Sequence, residues 1–223
     1  MVEAKELYDK KEKCPICEKE FTTKKTRSSK LRLIKRDEDF FNHYSGENPI
    51  KYGVSVCPNC GYAALENKFH SITKEQGEII KNNITTKWNK RSYGDARSLD
   101  DAIETYKLAL LIGNLLNYKK LEIGTICLSI GWLYRLKEDR TEETRFLTLA
   151  RDQFKEAYYN ESLEGSNMDE GKLSYLAGEI SRRLGDKEEA LNWLKLSLSS
   201  PSTKQNPALD SMAREQWRIT KEL

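Results

Sequence analysis

"CPNCGYAA", residues 57–64, restates the pattern of "CPIC", residues 14–17, and the two stretches hold four of the five cysteines in the chain. Two cysteines separated by two residues can present both sulfurs to one ion from a single tight turn. Zinc takes four such soft donors in a tetrahedron. Pro15 and Pro58 fix φ at the second position of each turn and donate no N–H. Gly61 follows the second pair and permits left-handed backbone there. Cys14, Cys17, Cys57 and Cys60 are therefore expected to converge on one structural Zn2+ and to form a zinc ribbon. The first turn carries Glu18 where the second has Gly61, so it needs another way to relax. The 39 residues between the pairs exceed the roughly 15–20 of a compact two-pair zinc module.

A redox reading of the pairs is weaker. A thioredoxin-like motif follows a strand and opens a helix, whereas prolines, a glycine and charges surround these turns. Catalytic zinc keeps an open position and usually includes histidine or carboxylate ligands, but four cysteines close the shell. His43 and His70 read as surface or packing residues. The chain has 38 basic and 35 acidic side chains, and one third of its residues are charged. Its mean hydropathy of -0.75 indicates a highly solvated surface. No run approaches the roughly 18 apolar residues of a membrane-spanning helix, and "MVEAKELYDKKEK" lacks the apolar centre of a signal peptide. A cytoplasmic location is expected, where thiols stay reduced and a disulfide framework is disfavoured.

The charge is unevenly placed. Residues 19–36, "KEFTTKKTRSSKLRLIKR", carry eight basic groups and one acidic group. Lys24, Lys25, Arg27, Lys30 and Arg32 are thus candidates for nucleic-acid contact, with Phe21, Tyr44 and Tyr52 available to stack bases. In "SKLRLIKRD", Leu31 and Leu33 alternate with Lys30 and Arg32, the period of a strand. "IKYGVSVC" reads as a second strand with Tyr52, Val54 and Val56 on one face, and "GENP" as a turn between them. Phe21, Phe40, Phe41 and Tyr44 are the candidate core. A unit of about 70 residues is marginal alone, and a structural zinc contributes on the order of 10 kcal/mol. "DED", residues 37–39, raises a magnesium hypothesis through Asp37 and Asp39, but reads better as a solvated loop or an ion pair with nearby arginines.

The run "CPIC…F…K…RSSKLR…RD…DF…Y…G…NP…Y…VCPNCGYAA" resembles the bacterial family catalogued as a domain of unknown function, DUF2225. The matching residues are Cys14, Pro15, Cys17, Phe21, Arg27, Arg36, Asp39, Phe40, Tyr44, Gly46, Asn48, Pro49, Tyr52, Cys57, Pro58, Cys60, Gly61 and Tyr62. The resemblance implies a cytoplasmic bacterial protein with an N-terminal metal-binding part and a helical C-terminal part. It implies no reaction.

From residue 71 the hydrophobic period becomes helical. Thr73 and Gln76 form a capping-box pattern, and Ser98 is an N-cap candidate. "SLDDAIETYKLALLIGN" places Leu99, Ala102, Ile103, Tyr106, Ala109, Leu110 and Gly113 at helical spacing. "YKKLEIGTICLSIGWLYRLKED" repeats the signal through Cys127, Ile130, Gly131 and Tyr134, which makes Cys127 a packing residue rather than a ligand. "FLTLARDQFKEAYYNES" continues with Ala150, Phe154, Ala157 and Tyr158. "LAGEISRRLGDKEEALNWLKLSL" is similar to a tetratricopeptide repeat. Ala177-Gly178 let two helices approach, Gly185-Asp186 turn the chain, Asp186 and Glu189 cap the next helix, and Ala190 and Leu194 pack it back. A second copy spans "SIGWLYRL" and "LARDQFKEAY", with about seven extra residues expected in its turn around "KEDRTEET". "DDAIETYKLAL" supplies half of a third, and Asn206-Pro207 starts a last helix. Arrays of this kind stack about three units and present a concave binding face.

The expected architecture is α+β: a small β zinc ribbon over residues 1–70, then an all-α tetratricopeptide-like array over residues 71–223. The first helices of the repeats would line a groove with Leu128, Trp132, Arg135, Lys172, Tyr175, Glu179, Arg182 and Arg183, a mixture suited to an acidic segment or a peptide carboxylate. The expected function is a non-catalytic, zinc-held adaptor that binds a protein or peptide. Nucleic-acid binding through the ribbon is the alternative, with a metal-dependent enzyme behind it.

Overall fold

Each cysteine turn closes an antiparallel hairpin in the computed structural model, which describes residues 5–223. Strand β1 (Leu7–Lys13) pairs with β2 (Glu20–Thr26), from Leu7 opposite Thr26 to Lys13 opposite Glu20, and "CPIC" is their tip. Strand β5 (Val54–Val56) pairs with β6 (Ala63–Leu65), and "CPNCGY" is the second tip. Between these hairpins lies a third, β3 (Arg32–Arg36) with β4 (Asn42–Ser45), whose register shifts between Leu33 and Lys35.

Strands form where "SKLRLIKRD" and "IKYGVSVC" predict them, but their faces differ from the expectation. Every residue of β3 is exposed, Leu33 at 52% and Ile34 at 65%, so its alternation marks no core face. Tyr52 closes a 3-10 turn over Pro49–Tyr52, capped by the Asn48 side chain on the Ile50 N–H. Val54, Ser55 and Val56 are all buried, because β5 is covered on both sides.

Two compact units emerge from the packing. The first comprises the residues up to Arg36, Asn42–Tyr118 and Trp132–Asp139; the second comprises Asp37–Phe41, Lys119–Gly131 and Arg140–Leu223. The boundary expected at residue 70 falls inside the first unit, because later segments complete its core. Helix α1 (Lys74–Asn83) opens with the full Thr73–Gln76 capping box. Helix α2 (Leu99–Leu115) opens with the Ser98–Asp101 box and packs on β5 and β6. Gly53 lies so close to α2 that a Cβ there would collide with the Tyr106 hydroxyl. Tyr62 stacks on Phe69 at 5.0 Å, and Phe69 meets the edge of Phe21 at 5.9 Å.

Buried Arg97 ties this unit together. Its guanidinium donates to the carbonyls of Tyr93 (3.0 Å), Lys51 (3.0 Å) and Val54 (2.9 Å) and to the Thr23 hydroxyl (3.4 Å). These bonds offset the desolvation of a cation, although burial still holds its pKa below the ordinary arginine value.

Small residues set the helix contacts of the second unit. Helix α3 (Lys120–Leu136) crosses both sets of residues; its Gly131 faces Leu147 of α4 (Arg140–Asn160), and its Gly124 faces Phe154. Helix α5 (Glu170–Arg183) presents Gly178 to Leu194 of α6 (Lys187–Ser199) in the same way. One constant offset relates Gly131, Glu138, Asp139 and Leu147 to Gly178, Gly185, Asp186 and Leu194. Glu138 and Gly185 are both left-handed, with φ of 61° and 81°. The next N–H closes each turn, Asp139 onto the Tyr134 carbonyl and Asp186 onto that of Ser181.

The seven extra turn residues expected around "KEDRTEET" are therefore absent. The extra length lies in α4, which has 21 residues against 13 in α6. From Arg140 onward the segment is helical, with Glu142 and Glu143 in the first turn, where carboxylates favour the helix dipole. Asp186 caps α6 through the Glu189 N–H, while the Glu189 side chain accepts from Trp193 Nε1 instead of completing a box. A short α7 (Pro201–Lys204) and α8 (Pro207–Glu222), capped by Asn206, end the chain. No described helix is long and apolar enough to cross a membrane.

Candidate metal centre

The two cysteine turns have the same backbone. In the first, Cys14 N–H donates to the Lys19 carbonyl (3.0 Å) and Glu18 N–H to the Cys14 carbonyl (2.9 Å). In the second, Cys57 N–H donates to Tyr62 (2.8 Å) and Gly61 N–H to Cys57 (3.0 Å). Glu18 takes the left-handed conformation that Gly61 takes, φ 59° against 77°. The first turn thus accepts left-handed backbone at a residue with a Cβ, a strain of about 1–2 kcal/mol, instead of relaxing differently.

The turns bring four sulfurs together. Cys14 Sγ lies 3.5 Å from Cys60 Sγ, and Cys17 Sγ lies 3.6 Å from Cys57 Sγ. All four fall within 4.8 Å of one another. Disulfide sulfurs lie at about 2.05 Å, so neither contact is a bridge. A tetrahedron with metal–sulfur bonds of about 2.3 Å has edges of about 3.8 Å, close to the observed pairs. Cys14, Cys57 and Cys60 are buried and Cys17 is half-buried. Hydrogen bonding among the clustered thiols, from Cys14 first and then Cys60, lowers the pKa of Cys57. The hydrogen bond to Cys57 raises that of Cys14, and the bonds to Cys14 and Cys57 raise that of Cys60. A central cation would take the place of those protons. The donor set fits one metal ion with a closed four-sulfur shell.

Residues the sequence did not single out support the site. Trp88 Nε1 donates to the Pro58 carbonyl (2.9 Å), and its ring covers Gly61, where a Cβ would lie 2.5 Å from it. Thr85 Oγ1 donates to the Cys60 carbonyl (3.1 Å), Ile16 N–H points at Cys14 Sγ (3.4 Å), and Lys19 reaches Asn59 across the turns (3.3 Å). Tryptophan in a polar stretch 28 residues past Cys60 is a weak signal that could have been noticed.

The remaining expected site residues lie outside the cysteine cluster. Among the basic candidates, Lys25 is buried, donates to the Tyr52 carbonyl (2.7 Å) and pairs with Glu66. Lys24 pairs with Asp9 (3.0 Å), and Arg27 lies over the Tyr8 ring. Lys30 and Arg32 are exposed. The five therefore do not share one face. His70 Nε2 meets buried Glu12 (3.0 Å), and the four cysteines form a cluster without either histidine. Cys127 is buried and its thiol pKa is pushed up to about 11 by burial, in keeping with a packing role.

Of the expected groove residues, Trp132 and Arg135 belong to the first unit, and Lys172, Tyr175, Arg182 and Arg183 to the second. Lys172 pairs with Asp169 (3.4 Å). Tyr175 is fully buried, its ring 5.3 Å from Phe40 and its hydroxyl donating to the Glu38 carbonyl (3.0 Å). Arg182 grips buried Glu179 with two bonds of 2.8 Å. Arg183 reaches Glu179 (2.7 Å), Glu38 (3.1 Å) and Asp39 (3.7 Å). "DED" thus pairs with an arginine far along the chain, Arg183, and its Asp39 is fully buried, which does not fit the solvated loop expected there.

Fold and site together define a mixed chain with β-hairpins carrying a four-cysteine, metal-type cluster, continued by helical hairpins. The profile of the family described as "Uncharacterized protein conserved in bacteria (DUF2225)" matches residues 7–220, and the chain belongs to that family. An uncharacterized protein of Borreliella burgdorferi is 31% identical over 121 residues, 47% of this chain and 43% of the relative, so the match spans less than half of that protein. No solved structure matches the chain.

Proposed function

We propose that the chain is a non-catalytic cytoplasmic adaptor: a structural Zn2+ holds the first unit in shape, and a tetratricopeptide-like array of helices binds a protein or peptide segment. The closed shell of four sulfurs supports the structural role of the metal, since catalytic zinc needs an open position. The matched hairpins α3–α4 and α5–α6 support the array.

One observation carries the binding role. The surface of α5 already grips an acidic, aromatic stretch of chain, residues 37–41, through Tyr175 and Arg183. The nucleic-acid alternative has less support, because Lys25 is buried and Lys24 is paired. The test is affinity capture from native bacterial cytosol, with metal content measured on the same sample. The reading expects partners that are lost with Arg135→Ala or with Arg182→Ala and Arg183→Ala. An unchanged partner set overturns it.

A further inference from the structure

Residues 37–41, "DEDFF", form the tip of the β3–β4 hairpin. Asp37 N–H donates to the Phe41 carbonyl (2.8 Å), and Phe40 N–H donates to that of Asp37 (2.9 Å). Three residues span the loop, and the last of them, Phe40, is left-handed with φ 71°. In three-residue hairpin loops this position normally belongs to glycine, and a bulky residue with positive φ is an outlier. An aromatic ring held there at the expense of the backbone needs a compensating contact, and the helices supply one. The Phe40 ring packs on Tyr175 and on a cluster of Leu194, Leu209 and Ala213 with Met212 and Trp217 at its rim.

Polar recognition matches the apolar fit. Arg183 faces the Glu38 and Asp39 carboxylates, and the Tyr175 hydroxyl takes the Glu38 carbonyl. Buried Glu179 fixes Arg182 and Arg183 in place, which preorganises the cations before any carboxylate arrives. The result is a receptor with an aromatic pocket beside a fixed guanidinium, occupied by two carboxylates followed by phenylalanine.

We propose that this α5 surface is a docking site for a partner segment of that chemistry, acidic residues leading into a phenylalanine, and that Asp37–Phe41 is its resident ligand in cis. This rests on the adaptor reading and names its partner class and its regulation. The strained φ of Phe40 weakens the resident, so a partner segment with relaxed backbone displaces it. Groove and resident have fixed charges of opposite sign, so screening by salt weakens both forms of occupancy.

The probe is a fluorescent peptide of residues 35–43, KRDEDFFNH, titrated by anisotropy into the full-length protein. Phe40→Ala removes the resident anchor. Glu38→Lys, at an exposed position, removes a charge contact without opening a cavity. Both variants are expected to bind the peptide about tenfold or more tightly than the native chain, because less of the site is occupied in cis. Adding Arg183→Ala should abolish that gain. No binding by either variant, with helical circular dichroism retained, overturns the proposal while leaving the capture experiment to judge the adaptor reading. Concentration-dependent dimers of the native chain, with no peptide binding by the variants, overturn it in favour of exchange between copies.

Discussion

Glu18 and Gly61 occupy equivalent positions, each one residue past the second cysteine of its turn and each in left-handed backbone, φ 59° and 77°. Only one of them suits that conformation. Glu18→Gly removes a Cβ penalty of about 1–2 kcal/mol, partly offset by the greater freedom of glycine in the unfolded chain. The variant is expected to gain about 0.5–1 kcal/mol in urea unfolding. Gly61→Ala should lose about 2–3 kcal/mol, since its Cβ meets the Trp88 ring at 2.5 Å and shifts the indole off the Pro58 carbonyl. Equal effects at the two sites would show that the turns are not equivalent.

Metal content follows from the sulfur geometry. One divalent ion per chain is expected, with X-ray absorption showing four sulfur neighbours at about 2.3 Å, the zinc–thiolate distance. Cys57→Ser should abolish stoichiometric binding, and chelation should unfold the first unit, since ion binding contributes on the order of 10 kcal/mol to its stability. A coloured protein holding iron would leave the four-sulfur shell standing but refute zinc.

Arg97 offers a test away from the metal. Arg97→Ala would strand the carbonyls of Lys51, Val54 and Tyr93 without their guanidinium donor. Buried acceptors left unpaired cost about 1–3 kcal/mol, so a loss on the order of 3 kcal/mol is expected, or roughly 6–12 °C in Tm. A loss under about 0.5 kcal/mol, within the ordinary range of surface substitutions, would mean that water reaches these groups.

Local pattern made parts of this legible in the sequence. Cysteine spacing and proline placement predict turns that aim two sulfurs each way. The caps at Thr73, Ser98, Asp186 and Asn206 follow from side-chain oxygens next to helical periods. Gly178 and Leu194 meet as a close helix contact requires. What stayed hidden depends on partners far along the chain. Strand β1, "LYDKKEK", has no alternating apolar residues and owes its pairing to the cysteine turn that follows it. Lys25 reads as a surface cation until Tyr52 and Glu66 are seen around it. Tyr175 sits at a groove-facing period, and nothing nearby in sequence reveals that Phe40 fills the space above it.

The last prediction concerns acid. Glu12 and Glu66 lie in one charged network, with Lys10 between them (2.6 and 2.9 Å), His70 on Glu12 and Lys25 on Glu66. Burial pushes both carboxyl pKa values up, but hydrogen bonds from Lys10 and His70 outweigh it at Glu12, and those from Lys25 and Lys10 at Glu66. Both end below the ordinary value of 4.5. A folded pKa below the unfolded one means that the unfolded chain binds more protons, so stability rises as pH rises and is lost as pH falls. The contribution is complete above pH 4.5 and is lost as pH falls from there through the lowered folded values. Loss of metal to protons falls in the same direction, so variants must separate the two. Glu12→Gln with Glu66→Gln should lower stability at pH 7 and flatten the acid limb, while the metal content at pH 7 stays at one ion per chain. An unchanged acid limb would assign the whole pH dependence to the thiolates.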